Sequence, residues 1–363
     1  MNHTPTIRRN EQAIVRVCYA GLDARTLRVE GLRRLRRVIP VDAVFFATVD
    51  PATMLFTGSL SEAIPEPAAQ AFLANEFFQD DVNKFVHLAR TACPVDSLYE
   101  ATRGEPARSP RFREIMAPLG FGDELRAALR AGPATWGVLC LHRELTGSAF
   151  TAAEAASLER LAPHLAVGLR TALLIAETTT TTAPDGPGLV LLDDDLAIVA
   201  VTAPAERWLA EMGDWPRRDE LPQVVRAVAA RFQAMDLASE SAPATTRLRT
   251  RVQTRSGRWL VLHPSRLSGA VGRGQIAVIL ESAAAADIAP LMLQAYGLTD
   301  RESQVALLVL RGLSTREIVD AVSISALTVQ QHLKAVFDKT GVHSRREFVA
   351  HLFAQHYLPR MEE

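Results

Sequence analysis

Side chains that could hydrogen-bond to nucleic-acid bases are concentrated near the end of the chain, at Thr328, Gln330 and Gln331. Amides can form paired hydrogen bonds with a base edge, whereas cations such as Lys334 and Lys339 contact phosphates. At about 100° per residue, these side chains fall on the outer side and flanks of one helix, opposite an apolar stripe. The pattern suggests a helix that contacts DNA. For an isolated helix, an ordinary amphipathic one with a solvated outer face would be the more common interpretation.

Short helices with strong start and stop signals surround this segment. The signals are the capping boxes Thr299 with Glu302 and Ser314 with Glu317, the cap Ser325, and the helix-ending glycines Gly312 and Gly341. Short capped helices separated by three or four residues are typical of a helix-turn-helix. This context favours the DNA-binding interpretation over the amphipathic one.

A set of short motifs runs through the same segment: Leu298-Thr299, Arg301-Glu302, Gly312-Leu313-Ser314, Ile324-Ser325, Thr328-Val329, His332, Lys339, Gly341-Val342 and Ser344-Arg345. In these motifs the segment resembles the LuxR-type helix-turn-helix of bacterial transcription regulators. One departure is Gln330, because that family usually has lysine or arginine directly after Thr-Val as a phosphate contact. The preferred DNA site is therefore expected to differ from that of better-matched relatives.

The resemblance implies a transcription regulator that binds double-stranded DNA. The expected DNA contacts are Thr315, Arg316, Leu327, Thr328, Gln330, Gln331, His332, Lys334, Ala335, Lys339 and Arg345. A homodimer is expected, because one short helix reads few bases and two-fold symmetry doubles them. Candidate dimer contacts on the last helix are Phe348, Leu352 and Phe353.

Composition limits the other classes of function. The 363 residues are sufficient for two or three domains, and the net charge of −1 argues for a local DNA-binding patch rather than a generally basic protein. The three cysteines, Cys18, Cys93 and Cys140, are scattered and do not suggest disulfides or a zinc site, so we expect a cytoplasmic protein without a metal. No apolar run is long enough for a membrane helix.

The sequence divides into three domains. We predict a GAF-like sensory domain at 1–176, a Thr/Pro/Gly-rich linker at 177–187, a PAS-like domain at 188–284, a second linker at 285–291 and the helix-turn-helix domain at 292–363. The expected fold class is two α/β sensory domains, each an antiparallel sheet with flanking helices, followed by an all-α four-helix domain.

The two upstream assignments depend on weaker patterns. The GAF resemblance follows from the order of elements and from the segments 136–139 and 150–151, and the PAS resemblance from a strand, turn, strand and helix at 189–209 followed by a hairpin at 248–263. The acidic run 193–195 could suggest a phosphorylatable receiver. Such a domain needs a lysine near its acidic pocket, however, and none lies between Lys84 and Lys334.

Small sensory folds commonly enclose a ligand cavity between sheet and helices. Candidate wall residues are Phe45, Trp136 and Cys140 in the first domain and Trp208, Trp259 and His263 in the second. The alternative is that these side chains fill solid cores, with DNA binding constitutive or controlled by a protein partner. No cofactor is expected, although a small-molecule effector is possible. We also expect no catalytic residues, because no nucleophile elbow, phosphate loop or dinucleotide motif is found.

Overall fold

The computed structural model describes residues 3–175, 186–212, 221–238, 248–267 and 275–356. Two five-stranded antiparallel sheets with flanking helices precede a domain of helices only, which confirms the predicted fold class. Both sheets have the same strand order, in which the first strand lies between the second and the fifth. Among the described helices, none is long and apolar enough to cross a membrane.

The first domain places helices on both faces of its sheet. Its elements are α1 (His3–Cys18), α2 (Ala24–Leu35), β1 (Ala43–Val49), β2 (Phe56–Glu62), α3 (Glu66–Phe78), α4 (Phe85–Leu88), β3 (Val95–Ser97), α5 (Leu98–Ala101), β4 (Phe121–Ala131), β5 (Ala134–Glu144) and α6 (Ala152–Ile175). The predicted cap of α6 is present, because Glu154 N donates to Thr151 Oγ1 and Thr151 N donates to a Glu154 carboxylate oxygen.

Alternation along β1 gives this sheet two buried faces. Val44 and Phe46 belong to a core shared with α1, α2 and α6, whereas Ala47 and Val49 belong to a second core shared with the following domain. Trp136 lies in the first of these cores and Cys140 in the second. The opposite faces of the sheet therefore have different partners.

The second domain repeats the sheet order without repeating the sequence. Its elements are β6 (Gly188–Leu192), β7 (Ile198–Val201), α7 (Ala203–Met212), α8 (Gln223–Ala238), β8 (Thr250–Gln253), β9 (Trp259–Arg266) and β10 (Ile276–Ser282). The acidic run forms a turn, as predicted, in which Asp193 Oδ1 accepts hydrogen bonds from the backbone N–H groups of Asp195 and Ala197. A side chain at Gly188 would have its Cβ 2.5 Å from Ala205 Cα, so α7 can lie against β6 only because this residue is glycine.

Polar contacts also join the two upstream domains. Asp50, almost completely buried in the first domain, accepts hydrogen bonds from Arg251 Nε at 2.9 Å and Arg251 Nη2 at 2.6 Å. Ser59 Oγ of β2 donates to Gln223 Oε1 at the start of α8, over 2.8 Å. A buried bidentate pair fixes orientation as well as distance, so these contacts define how the domains meet.

The predicted linker at 285–291 is instead the first part of helix α9 (Ala285–Ala295), and the predicted boundary at 292 falls inside this helix. Alanine favours helix, and Asp287 Oδ2 accepts a hydrogen bond from Ala284 N at the helix start. Leu291 and Met292 are buried, so the segment is packed rather than a linker. The other predicted linker, 177–187, falls mainly outside the described residues.

Replacing Met292 tests whether α9 is part of a packed core. We expect Met292→Ala to lower the free energy of unfolding by about 2–5 kcal/mol, because its fully buried side chain would leave a cavity. The matched control is Gln294→Ala, two residues away and exposed, which should change stability by less than about 0.5 kcal/mol. Urea unfolding measures both, and equal effects of the two variants would contradict the packing of α9.

Candidate nucleic-acid interface and buried cavity

The C-terminal domain consists of four short helices: α10 (Asp300–Leu310), α11 (Thr315–Val322), α12 (Ala326–Thr340) and α13 (Arg345–His356). Both predicted capping boxes are present. Glu302 Oε2 accepts from Thr299 N at 2.7 Å, and Glu317 Oε2 accepts from Ser314 N at 2.6 Å. These caps begin α10 and α11 at sharply defined residues.

Left-handed residues end the helices. Gly312, with φ of 87°, follows α10, and Gly341, with φ of 71°, ends α12, as the sequence predicts. The turn between α11 and α12 uses Ser323, whose φ of 56° is unusual for a residue with a side chain. Ser325 then caps α12 by accepting a hydrogen bond from Thr328 N. This close succession of stop and start makes the turn tight.

Helix α12 is oriented as its pattern predicts. Val329, Leu333 and Val336 are buried against the rest of the domain, whereas Gln330 and Gln331 are exposed. The amides are therefore available to an external partner.

Other exposed side chains extend this surface. Leu327 is 66% exposed, a high value for a large apolar side chain, and it lies beside Gln330 and Gln331 at the helix start. Lys334 and Arg316 are exposed and take part in no ion pair recorded for the described residues. We call the exposed set Arg316, Leu327, Gln330, Gln331 and Lys334 the α12 surface. Four further predicted contacts are half-buried: Thr315, Thr328, His332 and Ala335.

Two predicted basic contacts have partners within the domain. Lys339 Nζ lies 2.6 Å from Glu302 Oε2 and so connects α12 to α10. Arg345, which is half-buried, donates from its guanidinium to the carbonyl oxygen of Leu313. Both side chains therefore contribute to holding the helices together.

The predicted dimer contacts on α13 require correction. Phe348 is fully buried and Leu352 is 3% exposed, because both pack in the core that includes Val305 and Val336. Their side chains are used inside the domain and are not exposed to a second copy. The side chain of Phe353 lies outside the described residues.

The first domain contains a small buried cavity of about 50 Å³ between its sheet and α3. Two of the predicted wall residues, Phe45 and Cys140, line it, whereas Trp136 lies on the other face of the sheet and does not. The remaining wall residues are Phe56, Ser61, Ile64, Ala69, Phe72, Leu73, Glu76, Phe85, Arg126, His142 and Gln223. Gln223 belongs to α8, so the second domain contributes to the wall of the cavity.

Charged groups that the sequence did not single out lie below this cavity. Arg111 Nη2 is 2.8 Å from Glu124 Oε2, and Arg126 Nη1 is 2.8 Å from Glu76 Oε2. A third carboxylate, Asp81, lies 3.6 Å from Arg111 Nη1. We call these five residues the buried ion network. Charged residues on a strand normally indicate an exposed face, so the sequence of β4 does not by itself indicate a buried strand.

Burial and the network set the protonation of the groups around the cavity. Burial acts to raise the pKa of Glu124, but the guanidiniums of Arg111 and Arg126 hold that pKa well below its usual range. Burial lowers the pKa of His142 to about 4, and burial together with the charge of Glu124 raises the pKa of the Cys140 thiol well above its ordinary value. At neutral pH the carboxylate is therefore charged, and the imidazole and thiol are neutral.

The predicted pocket of the second domain is not assembled. Trp208 is buried in the core between sheet and helices, whereas Trp259 belongs to the core on the opposite face of β9. His263 is partly exposed, with Nε2 3.3 Å from a carboxylate oxygen of Glu281. Leu260 and Leu262 of β9 face the core that contains Trp208, so Trp259 and His263, which alternate with them along the strand, lie on the opposite face of the sheet.

The contact between Lys339 and Glu302 generates a pH-dependent prediction. Burial raises the pKa of Glu302, but hydrogen bonds from Lys339 and from Thr299 outweigh it and bring that pKa below its ordinary value of 4.5. A lowered folded-state pKa stabilises the fold above pH 4.5 and ceases to do so as the pH falls through the folded value.

Glu302→Gln should therefore lower the stability of α10 and α12 by about 1 kcal/mol at pH 7, since glutamine keeps the cap but removes the ion pair. The difference from the unaltered protein should shrink below pH 4.5. Hydrogen exchange of the two helices measures this, with Asp338→Asn, exposed on α12, as the control. A pH-independent difference would contradict the role given to the carboxylate.

Comparisons with known proteins address the C-terminal domain directly. Residues 297–352 match the family model GerE, described as bacterial regulatory proteins of the luxR family. No curated protein matches the chain significantly.

Among solved structures, a phage VqmA–DPO complex is 17% identical and covers 49% of this chain and 86% of its own, with a TM-score of 0.24. A Vibrio cholerae VqmA–ligand–DNA complex is 15% identical, with coverages of 48% and 84% and the same TM-score. The Escherichia coli DhaR(N)–DhaL complex is 11% identical, with coverages of 77% and 89% and a TM-score of 0.24. With such low TM-scores, these likenesses support no conclusion about this chain. The family match and the capped helices together identify residues 297–352 as a helix-turn-helix domain of the LuxR family.

Proposed function

We propose that the protein is a sequence-specific DNA-binding transcription regulator, not an enzyme, that acts in the cytoplasm. The observation that carries the proposal is the α12 surface, which presents amide and cationic side chains on a helix held by a helix-turn-helix of the LuxR family. Amides suit base edges and cations suit phosphates, so a single exposed face offers both kinds of contact.

Each side chain of the α12 surface has a proposed role. Gln330 and Gln331 would hydrogen-bond to bases in the major groove, and the exposed Leu327 would pack on a thymine methyl group. Lys334 and Arg316 would contact phosphates. The half-buried residues Thr315, Thr328, His332 and Ala335 would contribute at the edges of the same contact.

A homodimer is part of the proposal. One helix of this length reads few base pairs, so two copies on two half-sites would supply useful specificity. Phe348 and Leu352 are buried, so an α13 contact would need the helix's exposed side. The GAF-like and PAS-like domains offer further surfaces for pairing.

Control by the upstream domains is supported by packing. Gln223 of the second domain lines the cavity of the first, so a small ligand bound there would contact both domains. The first-domain core continues through Leu291 and Met292 of α9 to Val305 of α10. A ligand that binds one arrangement of these packed elements better than another would shift the position of the DNA-binding domain.

Lys334→Ala tests the phosphate contact. In a gel-shift titration of the full chain with a mixed-sequence DNA duplex, binding should weaken steeply as salt increases. The variant should bind all sequences more weakly and lower the salt slope by about 1. The matched control is Arg90→Ala, an exposed cation of the first domain with the same charge change, which should leave binding unaltered. Failure of the unaltered chain to shift any duplex at low salt would overturn the proposed function.

Gln331→Ala tests base recognition. Selection from a random-sequence duplex library should give a consensus in which one base position loses about 1–3 kcal/mol of discrimination, while the other positions keep theirs. The comparison variant is Gln304→Ala, which removes an exposed glutamine of α10 that is not part of the α12 surface. An unchanged consensus for Gln331→Ala would remove this residue from the base contacts.

A further inference from the structure

We propose that Glu124, Cys140 and His142 in the first domain bind one divalent transition-metal ion of the zinc class. All three side chains are buried, and one ligand atom of each lies within 4.8 Å of the others. A thiolate, an imidazole and a carboxylate form a donor set that suits Zn²⁺ and Co²⁺ and does not suit Mg²⁺ or Ca²⁺. The inference concerns the first domain alone and does not depend on DNA binding.

Strand register assembles the three donors. Glu124 of β4 is paired with His142 of β5, and Cys140 lies two residues before His142 on the same face. Cys140 Sγ is 2.8 Å from Glu124 Oε1 and 3.2 Å from His142 Nε2. Ligand atoms of a tetrahedral zinc site lie about 3.3–3.8 Å apart, given bonds of about 2.0–2.3 Å. The two distances from Cys140 Sγ therefore need to lengthen by only about 0.1–1 Å to admit an ion.

The two oxygens of Glu124 have different surroundings. Oε2 accepts hydrogen bonds from Arg111, whose Nε is 2.9 Å away. Oε1 faces the thiol of Cys140. Arg126 Nε is 3.0 Å from Oε1, but its orientation does not make a hydrogen bond. Oε1 is thus directed to the proposed ion while Arg111 holds the other oxygen, as outer-shell groups do at metal sites.

The ring of His142 is packed against two aromatic rings, but its nitrogen atoms make few hydrogen bonds. Its ring stacks on Phe121 at 5.0 Å and lies 5.6 Å from the ring of Phe72. Nδ1 has no hydrogen-bond partner among the described residues, and Nε2 has only the weakly bonding thiol. A buried imidazole with an unused lone pair is a suitable ligand, and the stacked ring limits its movement.

Charge balance favours a divalent ion. The buried ion network has three carboxylates, of Glu76, Asp81 and Glu124, and two guanidiniums, of Arg111 and Arg126, which leaves a net charge of −1. Binding of an M²⁺ ion converts the Cys140 thiol to a thiolate and releases one proton to solvent, so the buried charge becomes zero. A buried net charge is unfavourable, so an ion would offset the charge of these five residues, to which the half-buried Lys84 also contributes a positive charge near Glu76 and Asp81.

The volume of the cavity can be compared with the space that an ion or an organic ligand needs. About 50 Å³ accommodates an ion with one or two waters, one of which would be the fourth ligand. Pockets for drug-sized molecules are about 300–1,000 Å³. Cys140 and His142 line this cavity and Glu124 lies beside them, so its volume is sufficient for one ion and a water ligand.

Titration of the metal-free full-length protein with Co²⁺ tests the proposal. We expect saturation near one ion per chain, a thiolate-to-cobalt charge-transfer band, loss of that band when Zn²⁺ is added, and release of one proton per ion. Cys140→Ser should abolish the band, and His142→Gln should weaken binding at least tenfold. The matched control, Cys93→Ser, removes an exposed cysteine and should retain the band.

The outcomes separate this inference from the proposed function. Absence of a band in the unaltered protein, or a band that survives Cys140→Ser and disappears with Cys93→Ser, would overturn the metal site even if the protein binds DNA. A band that depends on Cys140 in a protein that shifts no DNA duplex would support the metal site and overturn the proposed function. Circular dichroism establishes that the variants are folded. If neither variant folds, the band and proton release of the unaltered protein decide.

Discussion

Burial of the apolar face of α9 is the constraint on which the arrangement of this protein depends. Leu291 and Met292 belong to a core that reaches the first domain through α6 and the DNA-binding domain through α10. Trp259 of the second domain belongs to the same core, so all three domains share one continuous packed region. Close-packed interiors respond to a shape change by repacking rather than by smooth deformation. The core that the described parts of the three domains share is the physical basis for the proposed coupling to α10.

The first domain depends on the balance between the cost of burying charged side chains and their attraction to opposite charges. Its sheet buries charged side chains as well as apolar ones, and each ion is stabilised only because an opposite charge lies within hydrogen-bond distance. Arg111 and Glu124 illustrate this, since removal of either would leave the other with one charged neighbour fewer, Asp81 beside Arg111 or Arg126 beside Glu124. Such a network restricts how the buried side chains can be arranged. It keeps a carboxylate beside Cys140 and His142, which line a cavity to which the second domain also contributes. The chemistry of the site thus depends on the domain interface.

In the DNA-binding domain, one side of α12 packs against the other helices and the opposite side is exposed. Val329 and Val336 fix α12 against the domain, and Lys339 ties it to α10 through Glu302. Exposed side chains of α12, such as Gln331 and Lys334, are available for contacts outside the domain. Because Lys339 and Arg345 have partners inside the domain, the surface is less cationic than the sequence suggests. In the proposed contact with DNA, hydrogen bonds from the glutamine amides would then contribute more to binding than in a more cationic surface.

The sequence by itself determined the local features. Capping boxes, helix-ending glycines and apolar periodicity act within a few residues, so the helix-turn-helix and most strands were predictable. Tertiary structure alone decided which surfaces remained exposed and which distant side chains met. A predicted linker forms part of helix α9, and Phe348 lies in a core. Glu124 and Cys140, on two neighbouring strands, lie beside each other. The physical reason is that burial and ion pairing depend on neighbours far apart in the chain, whereas capping and periodicity depend on neighbours close in sequence.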